Sequence, residues 1–333
     1  LIIKKRAFSA VQPSGDLHIG NYIGAIKQWV QTQNLNENIY CIVDLHALTI
    51  PENINPSYLK AKTREVAKLY IACGLNPDTS IIFAQSHVKE HAELAWLLNC
   101  VTPLGWLNKM TQFKSKSDKV ESIGTGLLDY PVLQAADILL YQTDIVPVGE
   151  DQRQHIELCR NIAVRFNNLF GDTFKIPELV IPKTGARIMG LDSPEDKMSK
   201  SVGAGRKGHS INLLDDDSLI KKTIMSAVTD NLSELRFDHA SPGVLNLLTI
   251  YEALTGKTRN EIELEFNGKG YGFVKKSVVE VVVESFRPIK ERYSKLSKDE
   301  FYIEKILSVN ALKATEIAFK TINLAKSNCG VGI

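Results

Sequence analysis

Five short apolar or β-branched runs punctuate the first 181 residues: AFSAVQ (7–12), IYCIVD (39–44), SIIFAQ (80–85), DIVPV (144–148) and LVI (179–181). Helical patterns lie between them. Ile19, Ile23, Ile26 and Val30 recur at helical spacing within 17–31, and Ile156, Cys159, Ala163 and Phe166 do so within 153–166. Strands alternating with helices predict βαβ units and a parallel sheet. After about residue 205 the pattern becomes helical through 285, and FYIEKILSVNALKATEIAFKTINLAK (301–326) is helical again. The expected architecture is α/β: a Rossmann-like parallel-sheet domain followed by a mainly helical C-terminal region.

The 333 residues allow two domains, and the 44% hydrophobic and 23% charged fractions are those of an ordinary globular chain. No stretch reaches transmembrane length, and the first residues run into an expected strand rather than a signal peptide. A net charge of +2 means that any nucleic-acid partner must be met by a local patch. Five cysteines without a CxxC pair disfavour a disulfide scaffold, a zinc ribbon or an iron–sulfur cluster. A cytoplasmic protein with no membrane contact is expected.

Polar residues gather at the strand ends. Gln12, Pro13 and Ser14 follow the first strand, Asp44 and His46 the second, Gln85 closes the third, and Gly149 to Gln152 follow the fourth. Open parallel sheets bind ligands outside these carboxyl ends.

In GDLHIGN a helix is expected to begin near Asp16 or Leu17, its free N–H groups forming an anion site to which His18 and Asn21 add donors. Glycine inside a helix costs roughly 1 kcal/mol. Gly20 and Gly24 are therefore read as making room for a nucleotide, against packing glycines as the plainer alternative.

EDKMSKS (195–201) carries Lys197 and Lys200 as mobile charges suited to a polyphosphate, although such a pair is more often solvated surface. On DYPVLQAADILLYQ (129–142), Tyr130, Gln134, Asp137 and Tyr141 form a polar–aromatic stripe beside an apolar face. Asp137 there must either pair with an Arg or Lys or await a ligand N–H. HVKEH (87–91) mimics a zinc-protease pattern without a third ligand, and GAGRKG (203–208) mimics a dinucleotide fingerprint without a preceding strand.

HIGN, followed about 180 residues later by KMSKS, strongly resembles the two signatures of class I aminoacyl-tRNA synthetases. FSAVQPSG, NYIGA, CIVDLHALT, MTQFKSKS, GLLDYPVLQAADILLYQTDIVPVGEDQRQHIEL and PKTGARIMGL narrow the resemblance to the bacterial-type tryptophanyl branch, and it covers nearly the whole chain.

The resemblance implies an enzyme that activates tryptophan with ATP, releases pyrophosphate and transfers the aminoacyl group to the 3′-terminal ribose of tRNA(Trp). It implies that Gln12, Pro13, Ser14, Gly20 and Asn21 hold ATP at the first helix, and that Gly149, Glu150, Asp151 and Ile188 line its ribose and adenine. Lys197, Met198, Ser199, Lys200 and Ser201 become the mobile loop, with His18, Lys116, Lys197 and Lys200 as catalytic donors and charges. Mg²⁺ is expected to ride on the ATP, with no protein metal site.

Asp137 would accept the indole N–H, Tyr130 and Gln152 would hold the α-amino group, and Phe8 and His46 would pack round the substrate. Gln134 stands where the family usually has Met, making the pocket more polar.

The implied domains are a catalytic domain at 1–195, the loop and linker at 196–205, a helical anticodon-binding domain at 206–285 and returning C-terminal helices at 286–333. Lys221 and Lys222 are candidate phosphate contacts, and a homodimer is expected. A tyrosyl enzyme would need a different pocket helix. A small-molecule adenylyltransferase usually lacks the second signature, and a non-catalytic paralogue need not keep His18 and the loop lysines.

Overall fold

The computed structural model describes residues 4–111, 123–181, 187–199, 207–232 and 234–332. Strand β1 (Arg6–Val11) leads into helix α1, whose α-helical ends Ile19–Asn21 and Lys27–Thr32 flank a π-helical turn, Tyr22–Ile26. There follow β2 (Glu37–Ile42), α2 (Pro56–Cys73), β3 (Ile81–Ala84), α3 (Glu90–Val101), α4 (Leu104–Leu107), α5 (Thr125–Leu139), β4 (Ile145–Pro147), α6 (Arg153–Phe170) and β5 (Glu178–Val180). Helices α7 (Asp217–Met225), α8 (Pro242–Thr255), α9 (Arg259–Phe266), α10 (Tyr271–Leu296) and α11 (Glu300–Cys329) complete the chain.

The five strands are all parallel, in the order β3-β2-β1-β4-β5, with Phe8 opposite Ile39, Ala7 opposite Ile145 and Ile145 opposite Glu178. Parallel strands are covered on both faces, which is why β2 reads as a continuous apolar run rather than an alternating one. Its side chains divide between two cores. Tyr40 and Ile42 join a cluster with α1 and α2, whereas Ile39 and Cys41 join one with α3, α5 and α6.

The first cluster continues through Ile188, Met198 and Ile211 into α7, α8, α9 and α10. The strand domain and the helical region therefore share one core across the expected linker at 196–205. The boundary expected at 285/286 falls inside α10. Val274, Val278, Val282, Phe286 and Ile289 keep one buried stripe at helical spacing past that point. Helix α11 lies against β3, α2 and α3, held by the ion pairs Lys68–Glu300, Arg64–Glu304 and Lys326–Glu93. Among the described residues no helix is long and apolar enough to cross a membrane.

Candidate active site

Strand β1 has β2 and β3 on one side and β4 and β5 on the other, so strand order reverses between β1 and β4. That reversal leaves a crevice at the carboxyl ends of the strands. A cavity of about 790 Å³ occupies it, walled by the ends of β1 and β4, by α1 and α5, and by the segment from Arg187 to Met198.

Of the sequence-predicted residues, Phe8, Gln12, His18, Gly20, Asn21, His46, Tyr130, Gln134, Asp137, Gly149, Glu150, Asp151, Gln152, Ile188, Lys197 and Met198 line this cavity. The buried Pro13 and the exposed Ser14 do not, nor does Ser199. Lys116, Lys200 and Ser201 lie outside the described residues.

The inner wall is built around Asp137. The carboxylate neither pairs with Arg or Lys nor stands unpartnered, as the sequence alternatives had it. His46 Nε2 lies 2.7 Å from Oδ2, while Gln85 Nε2 and His91 Nδ1 each lie 2.6 Å from Oδ1. Burial pushes this carboxyl up, but the charge and hydrogen bond of His46, with those of His91, outweigh it and hold it well below the usual carboxylate range.

An ionised carboxylate offers about four acceptor places. Three are filled, so Asp137 keeps one, on Oδ2, for a donor in the cavity. His91 passes its other nitrogen to the Tyr141 hydroxyl at 2.7 Å, and the Tyr141 ring stacks on Phe8 at 5.8 Å. Both nitrogens of His91 are thus employed inside the protein, which removes it from any zinc role. Among the described residues no group of three His, Cys, Asp or Glu could hold a metal.

A second polar chain runs toward the mouth. The Tyr130 hydroxyl meets His155 Nε2 at 2.9 Å, and burial raises the phenol to about 12, keeping it neutral. Gln134 Nε2 donates to Gln152 Oε1 at 3.4 Å, Gln152 Nε2 to Asp151 Oδ2 at 3.1 Å, and Lys197 Nζ to Asp151 Oδ1 at 3.3 Å. Burial acts upward on Asp151, but the Gln152 amide and Lys197 pull its carboxyl down. Glu150 is pulled down by Arg153. Lys197 is delivered by a short antiparallel pairing of Met189 with Lys197, and Met198 is buried, anchoring the segment in the first core.

The helix N-terminus differs from expectation. His18 is the N-cap, so α1 begins at Ile19 rather than near Asp16, and its first amides are already spoken for. Ile19 N donates to Ile211 O, Gly20 N to His18 Nδ1, and Asn21 N to His18 O. Among the described residues the open anion site predicted there is therefore absent, because Ile211 O takes the Ile19 amide and His18 takes those of Gly20 and Asn21. His18 accepts through Nδ1, which leaves the proton on Nε2 and makes that nitrogen the donor end of a buried imidazole. Asn21 accepts from His18 N, leaving its NH₂ as the donating end.

Gly20 and Gly24 play different parts. A Cβ at Gly20 would meet the His18 ring at 3.0 Å, whereas one at Gly24 would meet nothing within 4 Å and would enter the cavity.

Sequence reading missed His91 and His155 as members of the site, and it placed Gln85 at a strand end without a role. The decoy pattern HVKEH did mark the position of His91, but nothing local to it pointed to a helix 46 residues away.

The family profile described as tRNA synthetases class I (W and Y) matches residues 4–287. The chain is 52% identical over 331 residues to a tryptophan–tRNA ligase of Wolinella succinogenes, covering 99% of this chain and 100% of that one. It is 50% identical to a ligase of the same name from Helicobacter pylori, covering 98% and 99%. A tryptophanyl-tRNA synthetase structure from Mycoplasma pneumoniae superposes with a TM-score of 0.91 at 34% identity, covering 99% of each chain. One from Campylobacter jejuni, complexed with ADP and tryptophan, gives 0.83 at 35% identity over 98% of this chain and 100% of that one.

Proposed function

The chain belongs to the class I tRNA synthetases of the tryptophan and tyrosine branch, and from that membership we propose how its cavity activates tryptophan. The protein is an aminoacyl-tRNA synthetase that joins tryptophan to tRNA, using ATP. The observation that carries the site assignment is the single acceptor place left on Asp137, which is buried in the cavity wall.

In this reading the indole N–H donates to Asp137 Oδ2, with Phe8 and His46 forming the walls. The α-ammonium lies between the Tyr130 hydroxyl and Gln152 Oε1, whose second lone pair remains beside its bond from Gln134. The amino acid carboxylate then faces the mouth of the cavity and attacks the α-phosphate of ATP in line, releasing pyrophosphate. A ribose hydroxyl of the tRNA terminus takes the aminoacyl group in the second step.

No side chain serves as a nucleophile. Catalysis rests on positioning and on neutralising charge that develops on the phosphates. His18 donates through Nε2, and Lys197, with Lys116 and Lys200, supplies positive charge. Gln12, Gly20, Asn21, Gly149, Glu150, Asp151, Ile188 and Met198 form the nucleotide's bed.

Mg²⁺ enters as MgATP. Glu150 and Asp151, the acids nearest the phosphates, already pair with Arg153 and Lys197. Phosphate oxygens and water therefore supply most of the ion's ligands.

Helices α7 to α10, with Lys221 and Lys222 exposed on α7, are the region proposed for anticodon recognition. The proposed homodimer would cover the apolar side chains of Trp96, Leu104 and Val164. These are exposed on α3, α4 and α6, elements that pack round α5. The proposed compartment is the cytoplasm.

The test is ATP–pyrophosphate exchange with each of the twenty amino acids in turn. Exchange with tryptophan alone is expected. Exchange with another aromatic at comparable kcat/KM would overturn the pocket assignment.

A further inference from the structure

The segment that carries Lys197 into the cavity rests on a buried histidine that plays no part in the chemistry above. Ile188–Gly190 and Asp196–Met198 form two short antiparallel arms: Met198 N donates to Ile188 O at 3.1 Å, and Gly190 N to Asp196 O at 2.8 Å. Beyond the arms, Leu191 N donates to His209 O at 3.1 Å and Val228 N to Leu191 O at 2.8 Å.

The His209 side chain is completely buried, with Nδ1 2.7 Å from Asp192 Oδ1. It occupies the space in which Gly190 would carry a side chain. A Cβ there would lie 2.4 Å from the His209 Cε1 and 2.6 Å from Nδ1, closer than atoms approach without displacement.

The other ring nitrogen, Nε2, is sealed from solvent with no hydrogen-bond partner among the described residues. A buried polar atom left this way is unfavourable. An aliphatic side chain would fill the same space without that cost, so the imidazole's merit lies in its bond to Asp192 and its flat contact with Gly190. The first contact falls in the turn joining the two arms and the second at the end of the first arm.

We propose that His209 is a positioning residue for Lys197: its imidazole, lodged against Gly190 and tethered to Asp192, sets the angle at which the hairpin presents Lys197 to the triphosphate. The proposal rests on the reading of Lys197 as a phosphate ligand. Displacing a positioned group by about 1 Å costs up to roughly hundredfold in rate. Lys197 lies one residue beyond the Gly190–Asp196 rung that His209 abuts, so a shift there is passed to it.

The experiment is steady-state ATP–pyrophosphate exchange on the full chain. It compares wild type, Lys197→Ala, His209→Ala, His209→Asn and the double variant Lys197→Ala/His209→Ala, each checked for folding by circular dichroism. His209→Ala is expected to lower kcat by about tenfold or more, with the KM for tryptophan held within about twofold. His209→Asn, which can still donate to Asp192, is expected to recover part of that loss. In the Lys197→Ala background, His209→Ala is expected to add nothing further.

Losses that multiply in the double variant would overturn the proposal, because His209 would then act independently of Lys197. A rise in the KM for tryptophan with kcat unchanged would overturn it as well. If Lys197→Ala leaves kcat unaltered, the phosphate reading of Lys197 fails first and takes the proposal with it. Should His209→Ala not fold, Asp192→Asn keeps the shape, weakens the tether and carries the same comparison.

Discussion

Replacing Asp137 by Asn tests the inner pocket with the smallest change of shape. The carboxylate now receives three donors within 2.7 Å, from His46, Gln85 and His91. An amide has one oxygen, which accepts about two hydrogen bonds, and one NH₂, which accepts none. Gln85 and His91 can share the oxygen, placing NH₂ where Oδ2 was. His46 Nε2 and the indole N–H then both lose their acceptor. A hydrogen bond to a charged group contributes about 1.5–3 kcal/mol. At about 1.4 kcal/mol per decade, losing the indole bond alone lowers kcat/KM for tryptophan by roughly 10- to 150-fold. The KM for ATP should move by less than about threefold, because the bonds of Asp137 are to His46, Gln85 and His91 and those of Lys197 are to Asp151. Pyrophosphate exchange with each substrate varied in turn measures both numbers. Equal losses toward tryptophan and ATP, or an unchanged tryptophan kcat/KM, would refute the reasoning.

Three further outcomes follow from the same geometry. The depressed Asp137 carboxyl contributes stability that is fully present above its unfolded value of about 4 and is lost as pH falls below that toward its folded value; urea midpoints measured from pH 6 down to 3 should fall less steeply in Asp137→Asn than in wild type. Gly24→Leu places its side chain in open cavity space, so thermal stability should hold or rise by up to about 1 kcal/mol from helix propensity while the KM for ATP climbs; calorimetry and exchange kinetics separate the two effects. Gln134→Met removes the amide that bonds Gln152, so the KM for tryptophan should rise about twofold to tenfold, in keeping with one neutral hydrogen bond, with the KM for ATP unaltered.

The strands were legible because a parallel sheet buries both faces, which leaves apolar runs short enough to separate from helices; each observed strand lies within two residues of an expected run. Asp137 was legible because a carboxylate on so apolar a helix demands an explanation. That His46, Gln85 and His91 all bond it was not. Gln85 and His91 come from β3's end and α3, and only the packing of α3 on α5 brings them to the carboxylate.

The helix start at His18 was misjudged for a similar reason. A local pattern shows where a helix can begin, but the pairing of residues 17–19 with 211–213, almost two hundred positions away, decides which amides stay open. Met198 was read as part of the mobile loop, and the pattern gave no sign that the first core holds its side chain. At the boundary expected at 285 the sequence gives no sign that the buried stripe of α10 runs on unbroken.

The central claim is that Asp137 reads the indole N–H, and an isosteric amino acid lacking that hydrogen tests it without altering the protein. Benzothienylalanine, with sulfur in place of N–H, keeps the shape of tryptophan and leaves the last acceptor place on Asp137 empty. Its kcat/KM in wild-type pyrophosphate exchange should fall about 10- to 150-fold below that of tryptophan, by the same 1.5–3 kcal/mol. Equal use of the two amino acids would contradict the assignment of Asp137.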